Sequence, residues 1–189
     1  MGRGGACRDE TMKRGNDETE NVRIMKEFPN KENVAKLGRD AKAENEKFFK
    51  QLKKKTPKNL DEIVRDLHDE AFENFDCLTC ANCCGSISPM MTDKDVERLT
   101  KPLRLKPSQV IEQFMHLDDE HDYVFNSAPC PFLMADNCCS VYEYRPKACR
   151  DYPHTDRRRF SQLLNLTLKN CEVCPIVFNV VGQLKEKLS

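Results

Sequence analysis

The 189-residue chain has no Trp and only 4 Tyr beside its 10 Phe. Its hydrophobic fraction, 39%, lies below the roughly 45–50% of an ordinary globular domain. A large apolar core is therefore excluded. Glycine is scarce: after residue 38 only Gly85 and Gly182 occur. No GxGxxG or P-loop can be written, so the standard backbone cradles for nucleotide phosphate are excluded. The most apolar run, 175–181, falls far short of the roughly 20 residues that span a bilayer. The first residues also lack the apolar stretch of an export signal. Net charge is absent as well, with 31 basic and 31 acidic residues. This balance argues against a nucleic-acid partner, which normally calls for a strongly basic surface. The expected location is cytoplasmic, with no membrane partner.

Against these absences stand 11 cysteines, ten of them between Cys77 and Cys174. In a reducing compartment such cysteines serve as metal ligands or redox groups more often than as disulfides. Charge divides the chain in the same place. Residues 1–58 carry 16 basic and 10 acidic residues, the remainder 15 and 21. The expected organisation is a disordered leader at 1–29, a charged helical extension at 30–58, and a cysteine-cluster metal-binding domain at 59–189.

The fold expected is mainly α with short β segments: a small, cysteine-rich, metal-stabilised domain preceded by a helical extension. Val34, Leu37, Ala41, Phe48 and Leu52 make one narrow helical stripe through 33–54, weakened slightly by Gly38. Asn59 reads as the N-cap of a helix bearing Leu60, Ile63, Val64, Leu67, Ala71 and Phe72. Thr92 to Asp95 resembles a capping box, and 107–115 reads as a short helix. The β signals are 123–125 and 140–142. A further helix is expected within 157–169. A last amphipathic helix follows with Pro175 at its first position.

The strongest local signal is Cys77-Leu-Thr-Cys80-Ala-Asn-Cys83-Cys84. Two-residue spacing lets one turn aim two sulfurs at one ion, as in zinc and iron–sulfur sites. Cys130, Cys138, Cys139 and Cys149 follow, then Cys171-Glu-Val-Cys174. Adjacent side chains usually diverge, so Cys83 and Cys84 need not share an ion. Eight thiolates would fill two four-coordinate sites. The candidate metal ligands are Cys77, Cys80, Cys83, Cys84, Cys130, Cys139, Cys149 and Cys174, with Cys171 a close substitute for one of them. Cys138 and Cys7 are the weakest candidates. The cofactor is an iron–sulfur cluster or Zn²⁺. The C-x₂-C-x₂-C run, the prolines beside cysteines and the lack of histidine at zinc-finger spacing lean towards iron–sulfur.

The joint pattern of Cys77-x₂-Cys80-x₂-Cys83-Cys84, Cys130-Pro-Phe-Leu133 and Cys139-Ser-Val-Tyr142-Glu-Tyr-Arg145-Pro146-x₂-Cys149-Arg150-Asp-Tyr-Pro153 resembles the bacterial YkgJ-like cysteine-cluster family. Its signature is CxxCxxCC, and the resemblance covers roughly 72–182. It implies a small zinc- or iron-chelating domain, often described as iron–sulfur, with no settled activity. A related cluster accompanies flagellin lysine N-methylases; this chain lacks the length expected of such an enzyme. Four thiolates on a Zn²⁺ or a cubane cluster leave a local charge of about −2, which nearby guanidinium groups offset. Arg145 and Arg150, placed between ligands, are candidates for that role. His154 is a weaker candidate ligand. Arg157 to Arg159 offer a phosphate-binding run, and Asp118, Asp119, Glu120 and Asp122 an acidic loop.

The functional expectation is a cytosolic metal-binding protein with a redox or metal-handling role. The alternatives are an iron–sulfur oxidoreductase or methyl-transfer component, and a structural zinc module that presents helices to a protein partner.

Overall fold

The computed structural model describes residues 28–188. The leader expected at 1–29 lies outside the described residues except for Phe28 and Pro29; the Phe28 ring packs 5.0 Å from that of Phe75. The fold is mainly helical with one small sheet. The stripe at 33–54 forms two helices, α1 (Val34–Asp40) and α2 (Lys42–Lys54), which meet at Ala41. Gly38 packs directly on the 171–172 backbone. A Cβ built there would lie 2.5 Å from the Cys171 carbonyl oxygen.

Helix α3 (Leu60–Asn74) buries Leu60, Val64, Leu67 and Ala71. Asn59 holds the N-cap position but makes no side-chain cap bond. Asp61 takes the polar role in that first turn: its carboxylate accepts the amides of Arg159 at 2.7 Å and Phe160 at 2.9 Å. Two short helices follow, α4 (Cys77–Cys80) and α5 (Asn82–Ser86). Next come β1 (Met90–Met91), α6 (Asp93–Leu103), α7 (Pro107–Phe114), β2 (Met115–Leu117) and β3 (Tyr123–Phe125). The sheet is antiparallel in the order β1-β3-β2, with Met90 opposite Val124 and His116 opposite Val124 from the other side. The Thr92 box forms, with the Thr92 side chain and the Asp95 carboxylate each accepting the other's amide.

The strand expected at 140–142 does not form. Beyond one isolated bridge between Leu133 and Cys139, the chain turns, because Tyr142 and Tyr144 donate amides three residues back, to Cys139 and Val141. Tyr142–Tyr144 is a 3₁₀ turn leading to α8 (Lys147–Asp151). The helix expected at 157–169 also begins late. Arg159 adopts a left-handed φ of 59°, held by the two amides given to Asp61. A 3₁₀ turn at Phe160–Gln162 then precedes α9 (Leu164–Asn170). The last helix, α10 (Pro175–Leu188), starts at Pro175 as expected.

Two apolar clusters result. The larger joins α3 to α10 through Leu60, Val64, Leu67, Ile176, Val177, Val180 and Leu184, and takes in Phe49 and Leu52 of α2. The smaller gathers Met91, Val96, Leu99, Val110, Phe125, Phe132 and Val141 around the sheet. Cys171 and Cys174 are buried in the larger cluster, and Cys130 and Cys139 pack against the smaller one. No described helix is long and apolar enough to cross a membrane.

Candidate metal centre

The CxxCxxCC run is built as two tight turns around one residue. The Asp76 carboxylate accepts the Leu78 amide at 2.8 Å and caps α4. Ala81 then takes φ 46°, ψ 17°, a left-handed conformation that costs a non-glycine residue about 1–2 kcal/mol. Beyond it α5 restarts. One left-handed residue thus separates Cys77 and Cys80 from Cys83 and Cys84.

Three distant segments are tied onto this run. Asn82 Nδ2 donates to the Val173 carbonyl at 2.7 Å and holds the 171–174 turn against it. The Cys130 amide donates to the Cys84 carbonyl at 2.8 Å. Asn137 Nδ2 donates to the Thr79 carbonyl at 3.1 Å. The segment bearing Cys149 is positioned by Asp95, a 2% exposed carboxylate on α6 that accepts the Lys147 amide at 2.8 Å. Asn82, Asp95 and Asn137 were not singled out by spacing. Of these, only the capping box drew attention to Asp95.

None of the ten described cysteines is paired in a disulfide, and eight of them fall into two neighbourhoods that overlap at Cys77, Cys83 and Cys84. Cys77, Cys80, Cys83 and Cys174 form one. Burial pushes the Cys77 thiol up to about 12, and negative charge on Cys174 and Cys80 adds to the rise. Cys174 stands at about 11, raised by burial and by Cys80 but opposed by amides of α10's first turn, Val177 and Ile176. Cys84, Cys130, Cys139 and Cys149 form the second group. Burial, with charge on Cys84, Cys130 and Cys139, raises Cys149 to about 12. Cys130 rises with burial to about 11, against amides of Phe132 and Leu133 that face its sulfur. The groups touch at the adjacent pair, and charge on Cys84 also reaches Cys77. The Cys83 S–H is directed to the Cys84 sulfur, which pushes Cys83 far up and lowers Cys84 to about 7, with help from Arg145.

A cavity of about 280 Å³ lies where the groups meet, lined by Cys77, Cys83, Cys84, Cys130, Cys139 and Cys149, with Arg145, Arg150 and Tyr152. Arg145 stands beside the second group. Its guanidinium carbon is 3.4 Å from the centre of the Tyr142 ring, and its Nε donates to the Tyr142 carbonyl at 2.9 Å. Arg150 is one step further out and donates to the Arg145 carbonyl. The buried Tyr152 hydroxyl has no oxygen or nitrogen partner and faces the Cys174 thiol.

Other candidates sit apart. Cys171, 1% exposed, is packed in the larger apolar cluster, with Cys174 as its neighbouring thiol. Cys138 is half-buried in the turn where its amide meets the Asp136 carboxylate at 3.0 Å. Cys7 lies outside the described residues. The His154 ring packs edge-on to Tyr152 at 6.0 Å. Asp118 spends its carboxylate on the amides of Glu120 and Asp122, which accounts for the acidic loop as a turn. Arg157 pairs with Asp151 at 2.8 Å.

Among the described residues, no three Cys, His, Asp or Glu side chains are closed around one point at ion-binding distance. The donor chemistry nevertheless fits a thiophilic ion. The thiols are gathered on segments that hydrogen bonds tie to the CxxCxxCC run. Binding removes the thiol protons that burial now favours, and four thiolates suit Zn²⁺ or an iron–sulfur cluster equally.

A family model described as "CxxCxxCC: Putative zinc- or iron-chelating domain" matches residues 76–175. No curated protein and no solved structure matches the chain.

Proposed function

The chain belongs to the CxxCxxCC family of zinc- or iron-chelating domains, and from that premise we propose that it is a cytosolic metal-handling protein with two tetrathiolate centres. Cys77, Cys80, Cys83 and Cys174 serve one, and Cys84, Cys130, Cys139 and Cys149 the other. The observation that supports this reading is the convergence of the Cys130, Cys149 and Cys174 segments on the CxxCxxCC run. Cys171 keeps a packing role in this scheme. Arg145 offsets the charge of the second centre, and Arg150 steadies Arg145. At least one centre holds an iron–sulfur cluster in the cell, with a redox role; the ferredoxin-like C-x₂-C-x₂-C spacing supports this.

The test is purification without air, followed by iron, zinc and acid-labile sulfide analysis and visible absorption. Expected are iron with sulfide and a total occupancy of two centres per chain. A single occupied centre, or an occupancy untouched by Cys84→Ser and Cys174→Ser, refutes the two-centre reading. Zinc in both centres with no sulfide from anaerobic preparations refutes the iron–sulfur assignment alone.

A further inference from the structure

Helix α6 reaches the 143–147 segment through two residues one turn apart, Asp95 and Arg98, which share a helix face. Arg98 Nη2 donates to the Glu143 carbonyl at 2.9 Å, and the Asp95 carboxylate accepts the Lys147 amide at 2.8 Å. Between these ties the backbone is extended, with φ −48°, ψ 141° at Arg145 and φ −53°, ψ 153° at Pro146. Arg145 thus stands in the middle of a short span held at both ends. It lines the same cavity as Cys84, Cys130, Cys139 and Cys149; Arg98 does not. The Glu143 carbonyl has no local donor to use. Continuing the 3₁₀ turn would need an amide N–H at residue 146, which is proline. An α-helical bond would need the Lys147 amide, which Asp95 takes. Arg98 supplies the donor from 45 residues away.

We propose that Arg98 is a positioning residue for the metal centre: by holding the Glu143 carbonyl it fixes the 143–147 span and so keeps the Arg145 guanidinium at the cysteine-lined cavity. This rests on the reading above, in which Arg145 offsets the charge of a thiolate centre. Arg98 acts only through the span. Without its bond the Glu143 end is released while Asp95 still holds the Lys147 end. Arg145 then swings about the remaining tie, and the charge it offers to the centre is no longer fixed in place. The helix that carries Arg98 does not depend on it, because the Thr92–Asp95 box closes the start of α6 without it. Nor is Arg98 placed for stability: its Nε is buried with no hydrogen-bond partner, and a buried donor left unpaired opposes folding. An apolar side chain of similar length would remove that burden and lose only the tie to Glu143.

The experiment titrates the full reduced chain with zinc in the absence of air, against a competing chelator. Arg98→Met keeps the apolar stem and removes the donor; Arg98→Lys keeps a donor and the charge. Arg98→Met should bind as much zinc as the unsubstituted chain, with one ion held about 10–100-fold more weakly. Arg98→Lys should recover part of that loss. In an Arg145→Gln background Arg98→Met should add less than about 2-fold, because the two residues act in series and their effects do not sum. Urea midpoints of the metal-free chains separate this role from a purely structural one. A lowered midpoint in Arg98→Met with unchanged zinc affinity overturns the proposal. So do a loss as large with lysine as with methionine, and a full loss that adds to that of Arg145→Gln. Unchanged zinc affinity in Arg145→Gln itself overturns the charge-offset reading, and this proposal with it.

Discussion

Replacing Gly38 by Ala sets two effects of opposite sign against each other. Ala is favoured over Gly in a helix interior by about 1 kcal/mol. In α1, however, the new Cβ would meet the Cys171 carbonyl oxygen at 2.5 Å, the Glu172 Cα at 2.7 Å and the Cys171 carbonyl carbon at 2.9 Å. All three are backbone atoms, so no side-chain rotation relieves the contact. The turn they belong to is also fixed, by the Cys174 amide on the Asn170 carbonyl at 2.8 Å and by Asn82 on Val173 at 2.7 Å. Helix α1 must therefore lift away. Overpacking costs typically 1–3 kcal/mol, and contacts this short belong at the upper end. The expected net loss is about 1–2 kcal/mol. Gly182→Ala is the matched control: nothing lies within 4 Å of its Cβ position inside α10, so it should gain about 1 kcal/mol from helix propensity alone. Urea unfolding of the reduced, metal-free chain by far-ultraviolet circular dichroism reads both, as opposite shifts in midpoint at unchanged slope. A midpoint for Gly38→Ala that is unchanged or raised would show that α1 is not seated on the 171–172 turn.

Arg145→Gln should weaken metal retention about 10–100-fold without changing stoichiometry, measured by chelator competition; Arg158→Gln, at an exposed position, should leave it unchanged. Acid should reveal Asp95. Burial alone would raise its carboxyl, but hydrogen bonds from Thr92 and Lys147 and the charge of Arg150 hold it below its ordinary 3.8. A depressed folded value stabilises above the ordinary one and is lost as pH falls through the folded one. The unsubstituted chain should thus lose stability below about pH 4, and Asp95→Asn should flatten the denaturant midpoint over that window. Metal removal should leave amide exchange in α3 and α10 protected by their shared core, while 77–86 and 130–151 lose protection. Uniform loss of protection across the chain would refute that division.

Much of the helical framework was legible because it is periodic. Leu60, Val64, Leu67 and Ala71 repeat at helical spacing, and all are buried. Thr92 with Asp95 and Pro175 mark helix starts through local chemistry that needs no distant partner. The failures occur where a distant group takes over. The sequence 157–163 reads as helical, yet Asp61, about 100 residues earlier, captures two of its amides and delays the helix. The segment 140–142 has β-prone residues, but no partner strand comes alongside. Gly38 reads as a weak point in a helix and serves as a contact surface. The cysteine run itself was plain from spacing. Which sulfurs neighbour which depended on Asn82, Cys130 and Asn137 reaching across the chain, and no local pattern encodes those ties.

The two proposed groups of sulfurs are also nested along the polypeptide. The Cys84 group begins and ends within 84–149, while the Cys77 group opens at 77 and closes at 174, outside it on both sides. A chain emerges from the ribosome N-terminus first, at about 5–20 residues per second. The inner group is thus complete about 25 residues, or roughly 1–5 seconds, before the outer one receives its last sulfur. Throughout that interval the nascent chain holds a full inner set beside an outer set of three. Its final donor arrives together with the helix that covers α3. Under the two-centre proposal, closure of the outer set and completion of the larger core are therefore one event in synthesis, and the inner set is available for filling before either.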